Sequence, residues 1–468
     1  MHTKAPHEQF YRYVIPAMAS QLLTGFFIIV DGFFIGQSIG DVGLASINIL
    51  WPIAAVILAT GLGIGSGGSV VMTHAMGAGD TEKALAARGN TLLCLGAGTV
   101  LLTAALGLSY PWLLRLLGAT GELYQPAADY TVVVVLAGGL QIFNSGLNPL
   151  LRGSGRTVAA MAIMIFSLLC NILLDWLFIA VFAWGMHGAA LATVISAWAG
   201  PVLILSVSAI QRNMLISPIK ELFGFNKRSI AEYYEKATPV IINETLWGLG
   251  TLLFSVIFAN LGYQYYAAVT IFRTFDNIAF VFFIGLCNAS SIMVGKNVGA
   301  GHIKRAVEDS RRFVLFVSLC SVLTGVLIII FRFQLASVFN LSGSITPETL
   351  KLTASLLLVY GIELPMRNLP YILIVGTFRP GGDTKIGMKL DLLSLWLCSV
   401  PLTILAAFVF KLPFIAVFAI MYIAEDYLKV ILCVKYYFTY NWLRPVTDQG
   451  IKGLEEFYES RRKKPADH

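Results

Sequence analysis

Charged residues are scarce in this sequence. Asp, Glu, Lys and Arg make up 13% of 468 positions, whereas hydrophobic residues make up 57% and the mean hydropathy is +0.76. So few charges could not cover the surface of a soluble globular protein of this length. Runs of about 20 apolar residues recur along the chain, which is the length that a helix needs to cross a bilayer. The composition therefore predicts an all-α integral membrane protein that crosses the bilayer many times.

Motifs for ATP hydrolysis, metal-dependent chemistry and nucleophilic catalysis are also missing. The glycine-rich run at residues 61–68 lies inside an apolar span, and the phosphate-binding motif GxxxxGK[ST] occurs nowhere. No HExxH or GxSxG motif is present, and the six cysteines form no CxxC pair. We therefore expect no enzyme activity, no cofactor and an energy source that is an ion gradient. The glycine run is interpreted as close helix packing or a hinge.

Twelve membrane spans are predicted, at residues 10–36, 43–74, 89–109, 127–150, 157–182, 187–210, 230–258, 265–295, 313–332, 347–375, 386–410 and 412–437. Most of the 33 Lys and Arg fall on the side that carries both termini. By the positive-inside rule this side is the cytoplasm, and we assign the protein to the plasma (inner) membrane. The basic run at residues 461–464 fits contact with anionic lipid, so we expect the lipid bilayer as a partner and no nucleic acid.

An internal repeat divides the chain into two halves. Residues 62–90 align without gaps on residues 284–312, and MGAG at 76–79 meets VGAG at 298–301. Because each half contains an even number of spans, both halves have the same orientation in the membrane. We predict two pseudo-symmetric six-helix lobes, at residues 1–210 and 230–437. A cytoplasmic linker at 211–229 joins them, and a cytoplasmic tail follows at 438–468.

Two carboxylates lie deep within apolar spans of the N-terminal half, where a charge costs about 3 kcal/mol or more in lipid. Asp31 has no basic residue nearby in its span, and Asp175 stands four residues after Asn171, so these last two share a helix face. We interpret Asp31, Asn171 and Asp175 as one polar site inside a helical bundle. The alternative is that each Asp is a protonated, hydrogen-bonded packing residue.

Other charges within the spans have an opposite charge one helical turn away and are interpreted as structural ion pairs. The predicted pairs are Arg273 with Asp276, Glu363 with Arg367, and Glu425 with Lys429. Glu244 has no such partner and is the third candidate functional carboxylate. Arg152, at the cytoplasmic end of the fourth span, is expected to have a structural or gating role.

These motifs together resemble the MATE family of multidrug and toxic-compound extrusion transporters over nearly the whole chain. The resemblance is carried by the span from Pro16 to Asp31, GFFIG at 32–36, GLA at 43–45, the two Gly-Ala-Gly loops, LRGSG at 151–155 and NILLD at 171–175. The resemblance implies a V-shaped bundle of two six-helix lobes. It also implies that the bundle alternates between outward-open and inward-open forms.

The pattern is closest to the prokaryotic branch that has a cation site in the N-terminal lobe. For this chain, the resemblance implies that Asp31, Asn171, Asp175 and Thr193 hold the coupling ion, a proton or sodium. Trp176 stands where many relatives have proline, which predicts a straighter helix at that point. Whether the C-terminal lobe has a cation site of its own is left open.

The resemblance also implies a drug cavity bordered by asparagines of the fourth helix, which correspond to Asn144 and Asn148. We also assign Gln21 and Glu244 to this cavity. Each follows a proline by five residues, one in each half, which agrees with the internal repeat. Pro16 lacks a backbone N–H and crowds the preceding turn, so we interpret it as the hinge of the first helix.

The predicted function is a secondary antiporter that exports amphiphilic, often cationic, organic compounds in exchange for protons or sodium. The alternative is a flippase for a lipid-linked saccharide, whose cavity should be lined with arginines. Only Arg273 and Arg367 lie within the predicted spans, which favours the antiporter. The identity of the substrate and the choice between proton and sodium stay open. We expect small organic molecules and the bilayer as partners, and a monomer.

Overall fold

A computed structural model of the chain describes residue 34 and residues 41–119, 121, 124–210, 227–338 and 346–462. Within these ranges the chain is helical and forms no β-strand, apart from an isolated bridge between Gly382 and Leu443. Nine helices of the described part are long and apolar enough to cross a membrane. The prediction of an all-α membrane fold is therefore confirmed. The first predicted span, at 10–36, lies outside the described residues except at position 34.

Twelve α-helices of nine residues or more lie in the described ranges. They are α1 (Asp41–Ala78), α2 (Thr81–Leu116), α3 (Tyr124–Gly153), α4 (Thr157–Asp175), α5 (Gly185–Ile210), α6 (Lys227–Leu261), α7 (Tyr263–Gly299), α8 (Ile303–Val338), α9 (Pro347–Leu373), α10 (Thr384–Leu392), α11 (Phe414–Tyr437) and α12 (Asp448–Arg462). Helices α1 to α11 overlap predicted spans two to twelve in order, and α2 and α8 extend beyond their predicted spans at both ends. α11 is absent from the nine apolar helices because it carries Glu425, Asp426 and Lys429 within its central turns.

Three of these helices continue as wider π-helical segments. α4 continues over Trp176–Val181 and α9 over Ile374–Phe378, while α10 continues over Leu393–Ser399 and again over Leu405–Val409. Helix α9 ends after a last turn at Arg379–Gly381. Such segments add one residue per turn and change which side chains face a neighbouring helix.

The turns that end equivalent helices of the two halves have the same backbone conformation. Gly79 ends α1 with φ +73° and Gly301 ends α7 with φ +78°. The turns after α3 and α9 likewise contain Gly155 at φ +89° and Gly382 at φ +98°. Glycine adopts this left-handed conformation without steric cost, which explains the residue type at these positions. The repeat seen in the sequence therefore has a counterpart in backbone geometry. The boundaries of the two lobes stay a prediction.

The glycine run of α1 serves close helix packing on two sides, as the sequence predicts. A Cβ at Gly61 or Gly65 would overlap the backbone of α3, whereas a Cβ at Gly63 or Gly67 would press within about 3 Å of α6. Helix α1 therefore lies between α3 of its own half and α6 of the other half. Small residues let helix backbones approach in this way inside a membrane.

The two halves meet along α1 and are sealed at the end where the α1–α2 and α7–α8 turns lie, which we call the closed end. There, His74 contacts the carbonyl of Pro380 at 2.6 Å and Lys83 forms an ion pair with Glu232 at 2.6 Å. Helix α12 lies across this end, where the Thr447 hydroxyl just before it donates to the carbonyl of the last α7 residue at 2.6 Å. Contacts between the halves thus close one end of the molecule.

Candidate functional site

Two of the predicted cation-site residues lie on one face of α4. Asn171 and Asp175 are fully buried and one helical turn apart. Among the described residues, neither the amide oxygen nor the amide nitrogen of Asn171 has a hydrogen-bond partner. An unsatisfied buried amide costs about 1–3 kcal/mol, so this position is suited to a bound ion or a polar ligand.

The helix changes its winding directly after Asp175. The π-helical segment begins at Trp176, and at its end Phe182 donates its backbone N–H to the carbonyl of Leu177, five residues earlier. The chain therefore stays helical at Trp176, the position at which many relatives have proline. The helix becomes wider from this residue onward. π-Helical turns inside α-helices occur frequently at functional sites.

Thr193 lies on α5, which packs against α4. The side chain is partly buried, and its hydroxyl donates to the carbonyl of Ala189 at 3.0 Å. Asp31, the fourth predicted ligand, lies outside the described residues, as do Pro16 and Gln21. That the four residues form one site therefore stays a prediction.

A cavity of about 430 Å³, which we call the central cavity, lies between the two halves. Helices α1, α3 and α4 line it from the N-terminal half, and α6, α7, α9, the π-helical part of α10 and α11 line it from the C-terminal half. Asn144, Asn148 and Glu244, which the sequence assigns to the substrate cavity, are all among the lining residues. A volume of this size suits a small organic molecule.

Large aromatic side chains cover much of the C-terminal wall. They are Trp247, Phe254, Phe258, Phe272, Phe280, Phe418 and Tyr422. The Arg367 guanidinium lies over the Phe280 ring, 4.7 Å from its centroid. Aromatic faces bind both apolar and cationic groups, so this wall suits an amphiphilic ligand.

The N-terminal wall carries a polar ridge on α3, formed by Asn144, Asn148 and Arg152. The four-residue spacing places these side chains on one face of the helix. Asn148 donates from Nδ2 to the backbone carbonyl of Asn144 at 2.9 Å, while its own buried Oδ1 has no partner within the described ranges. On α5, the absence of a side chain at Gly200 makes room for the Asn144 amide, because a Cβ there would fall 2.5 Å from Oδ1.

Ion pairs between helices neutralise much of the charge on the C-terminal wall. Arg379, at the end of α9, lies 2.6 Å from Glu244 on α6, and both side chains are largely buried. Arg367 on α9 lies 2.7 Å from Asp276 on α7. Glu244, which lacks a partner on its own helix, therefore has one on another helix.

Two of the predicted ion pairs are wrong. Arg273 does not pair with Asp276, because the Asp276 carboxylate is held by Arg367. Glu363 does not pair with Arg367, one turn away on α9, because the Arg367 side chain reaches across to α7. Of the described residues, four arginines line the central cavity or a smaller cavity beside it. Arg152 and Arg379 are added to the two that lie within predicted spans.

The ammonium group of Lys429 on α11 lies close to three carboxylates. Its Nζ lies 2.8 Å from Asp391, 2.9 Å from Glu425 and 3.8 Å from Asp426, and Asn243 donates to Asp391 at 2.9 Å. The predicted pair of Glu425 with Lys429 is confirmed. Sequence reasoning missed Asp391 and Asp426, although each is an acid within an apolar span, which is the signal that singled out Asp31.

The three carboxylates and Lys429 line a second cavity of about 100 Å³. The ion pair of Glu244 with Arg379 lines it as well, and both Glu244 and Arg367 also line the central cavity. The smaller cavity is therefore a polar side pocket of the larger one.

A model of the MatE family matches residues 16–177 and 239–405, which is more than half of the chain. Among curated proteins, the probable multidrug resistance protein NorM of Thermotoga maritima is 23% identical over 458 residues, covering 96% of each chain. The probable multidrug resistance protein YoeA of Bacillus subtilis is 24% identical over 435 residues, covering 91% of this chain and 92% of the relative. Similarity thus extends over nearly the full length of these relatives.

Solved structures agree with the family match. A crystal structure of MATE in complex with MaL6 is similar to this chain with a TM-score of 0.81 and 19% sequence identity. The match covers 93% of this chain and 97% of that chain. At this level of identity, the likeness shows the fold.

Proposed function

This chain belongs to the MatE family of membrane transporters, and from that premise we propose that it is a secondary antiporter for amphiphilic organic compounds. It is a multi-pass membrane protein of a transporter family rather than an enzyme. The exported compounds are often cationic, and protons or sodium ions enter in exchange. Relatives named as multidrug resistance proteins support efflux as the direction of transport.

The observation that carries the proposal is the central cavity. It lies between two halves that repeat the same turns, and its walls combine aromatic faces, an amide ridge and charged groups. Contacts between the halves seal the closed end. With both termini in the cytoplasm, the closed end is cytoplasmic and the cavity faces outward. Rocking of the halves about α1 would exchange this state for an inward-open one.

The buried pair on α4 supports coupling to an ion. A carboxylate at the depth of Asp175 is stabilised either by a proton or by a small cation, and oxygen atoms of Asn171 and Thr193 are ligands that sodium accepts. Asp31 is proposed as the fourth member. Coupling requires that the ion bind more tightly to one of the two conformations, because an ion with equal affinity shifts neither.

The test is transport by the purified protein in proteoliposomes, with ethidium as a fluorescent cationic substrate. Inward sodium and proton gradients are imposed separately. We expect one of the two gradients to drive ethidium movement, and Asp175→Asn to abolish the driven component. Ethidium movement that responds to neither gradient, in vesicles that contain folded protein, would contradict the proposal.

The saccharide flippase makes a different demand on the cavity. Its arginines should be free to bind phosphate groups, but two of the four arginines described above, Arg367 and Arg379, each contact a carboxylate. This neutralisation favours the antiporter. Flipping of a fluorescent lipid-linked saccharide in the same vesicles, in the absence of any imposed gradient, would favour the flippase instead.

A further inference from the structure

One charged side chain on the cavity wall is not explained by the ion pairs between helices. Arg152 ends the polar ridge of α3, is 4% exposed and lines the central cavity. In the part of the chain that the structure describes, its guanidinium forms neither an ion pair nor a hydrogen bond. A buried charge without a counter-charge is destabilising unless something else compensates it.

The other cationic side chains on the cavity walls differ in this respect. Arg367 and Arg379 each contact a carboxylate, at 2.7 Å and 2.6 Å, and Lys429 contacts more than one. Arg273 forms no ion pair among the described residues, but Asp276 follows it by three residues, about one helical turn, on α7. Within the described ranges, Arg152 is therefore the cation of the cavity that has no acidic neighbour.

The chemistry beside Arg152 is complementary to a polar organic group. The guanidinium is a planar fork of donors that matches the oxygens of a carboxylate or another oxyanion. One turn earlier, the buried Oδ1 of Asn148 is an acceptor without a partner in the described structure. An anionic group with an N–H or O–H next to it would satisfy both side chains.

We propose that Arg152 and Asn148 form a subsite for an anionic group of the transported compound, a carboxylate or a similar oxyanion. The aromatic body of the compound then lies against Trp247 and Phe280 on the opposite wall. The inference rests on the proposed function and narrows it. It assigns Arg152 as the residue that selects amphiphilic compounds which also carry an oxyanion.

The charge on the two walls also fixes the orientation of a zwitterion. Around Lys429, three carboxylates share a single ammonium group, so the side of α11 is rich in negative charge. The ridge of α3 ends in a cation. The cationic end of the substrate therefore points to α11, and its anionic end points to Arg152.

The experiment compares two dyes that differ in one charge. Rhodamine B carries a carboxylate and is a zwitterion, whereas its ethyl ester is a cation with the same ring system. Binding of each dye to the full-length protein in detergent is measured by fluorescence anisotropy. We expect Arg152→Gln to lower the ratio of the rhodamine B affinity to the ester affinity about tenfold, since a charge-assisted hydrogen bond is lost.

Two further variants separate charge from position. Arg152→Lys keeps the charge without the fork, so its ratio should fall by less than that of Arg152→Gln. Arg156→Gln is the matched control, because it removes the same charge four residues later, where the side chain does not line the cavity. Its ratio should equal that of the unmodified protein. Measurable binding of the ester by each variant shows that the variant is folded.

The result that overturns the inference is a ratio that Arg152→Gln leaves unchanged or that Arg156→Gln lowers equally. An anionic headgroup is the other source of an oxyanion, so phosphatidylglycerol is added as a competitor. Arg152-dependent binding of this lipid, with no Arg152 dependence for rhodamine B, also overturns it. Arg152-dependent binding of rhodamine B without gradient-driven export in vesicles supports the subsite and counts against the proposed antiport.

Discussion

Replacing Gly77 with alanine is expected to open the closed end of the transporter. Gly77 on α1 and Gly299 at the end of α7 each face the backbone of the other helix. A Cβ at position 77 would lie 2.9 Å from the carbonyl carbon and 3.0 Å from the Cα of Lys296, and nearer still to its carbonyl oxygen. Backbone atoms cannot rotate out of the way as a flexible side chain can, so the two helices must separate.

The size of the effect follows from these distances. Carbon atoms in contact prefer separations of about 3.5–4.0 Å, so α1 and α7 must move apart by roughly 0.5–1 Å. Overpacking of this kind costs about 1–3 kcal/mol. This cost destabilises the closed state, in which α1 and α7 are in contact. A cost of about 2 kcal/mol changes the ratio of the closed and separated states about 30-fold.

Spin labels at Glu82 and Lys304 would measure this change. Both side chains are exposed, and they begin α2 and α8 at equivalent points of the two halves. With the six native cysteines replaced, Gly77→Ala should move the distance distribution between the labels to larger values. Gly96→Ala is the matched control, because a Cβ there meets nothing within 4 Å. An unchanged distribution for Gly77→Ala, or an equal change for Gly96→Ala, would refute the reasoning.

Four further outcomes are expected. Asp31→Asn keeps the shape of the side chain but removes its charge, so folded protein should lose gradient-driven ethidium efflux in vesicles. Glu244→Gln leaves the Arg379 charge buried and should destabilise the protein by about 3 kcal/mol in chemical unfolding, whereas adding Arg379→Met should restore most of that loss. Pro16→Ala should keep substrate affinity but slow efflux, as expected for a hinge. Gly200→Ala should displace the Asn144 amide and weaken ethidium binding several-fold, although position 200 does not line the cavity.

A different result would contradict each of these four predictions. Normal coupled efflux by Asp31→Asn would make that residue a packing residue. Equal stability of the Glu244→Gln protein and the unmodified protein would mean that the Arg379 pair contributes little. An unchanged efflux rate for Pro16→Ala would leave this proline as a residue that starts a helix. Unchanged ethidium affinity in Gly200→Ala would show that the Asn144 amide moves without cost.

Helices were predictable from the sequence because hydropathy is a local property. Spans two to twelve are all helices, including α11, whose three charges do not prevent an apolar helix from being recognised by its length and flanks. The glycine run was also interpretable, since small residues in an apolar span indicate close packing. Which of these glycines face α3 and which face α6 depends on how whole helices pack. Only the structure shows this.

Partners of charged residues were predictable only when they lie on the same helix. Glu425 and Lys429 are one turn apart and do pair, whereas Arg367 pairs with Asp276, 91 positions away. A contact between distant helices depends on their relative position and rotation, which spacing along one helix does not specify. Helix α12 was predicted only as part of a tail, because the burial of Phe457 and the hydrogen bond of Thr447 depend on the ends of other helices.

Helix α5 connects the predicted coupling site to the substrate cavity. It carries Thr193 beside α4, and seven residues later, two helical turns on, it carries Gly200 against the Asn144 amide of α3. A shift of α5 when an ion binds at Asp175 would therefore change the room available to Asn144, which lines the cavity. Gly200→Ala imposes such a change at Asn144 without replacing a residue of either site. If α5 is the connection, this variant should alter both ethidium affinity and the dependence of efflux on the ion gradient. If only the affinity changes, Gly200 affects the shape of the cavity alone. The link between the coupling site and the cavity would then lie outside α5.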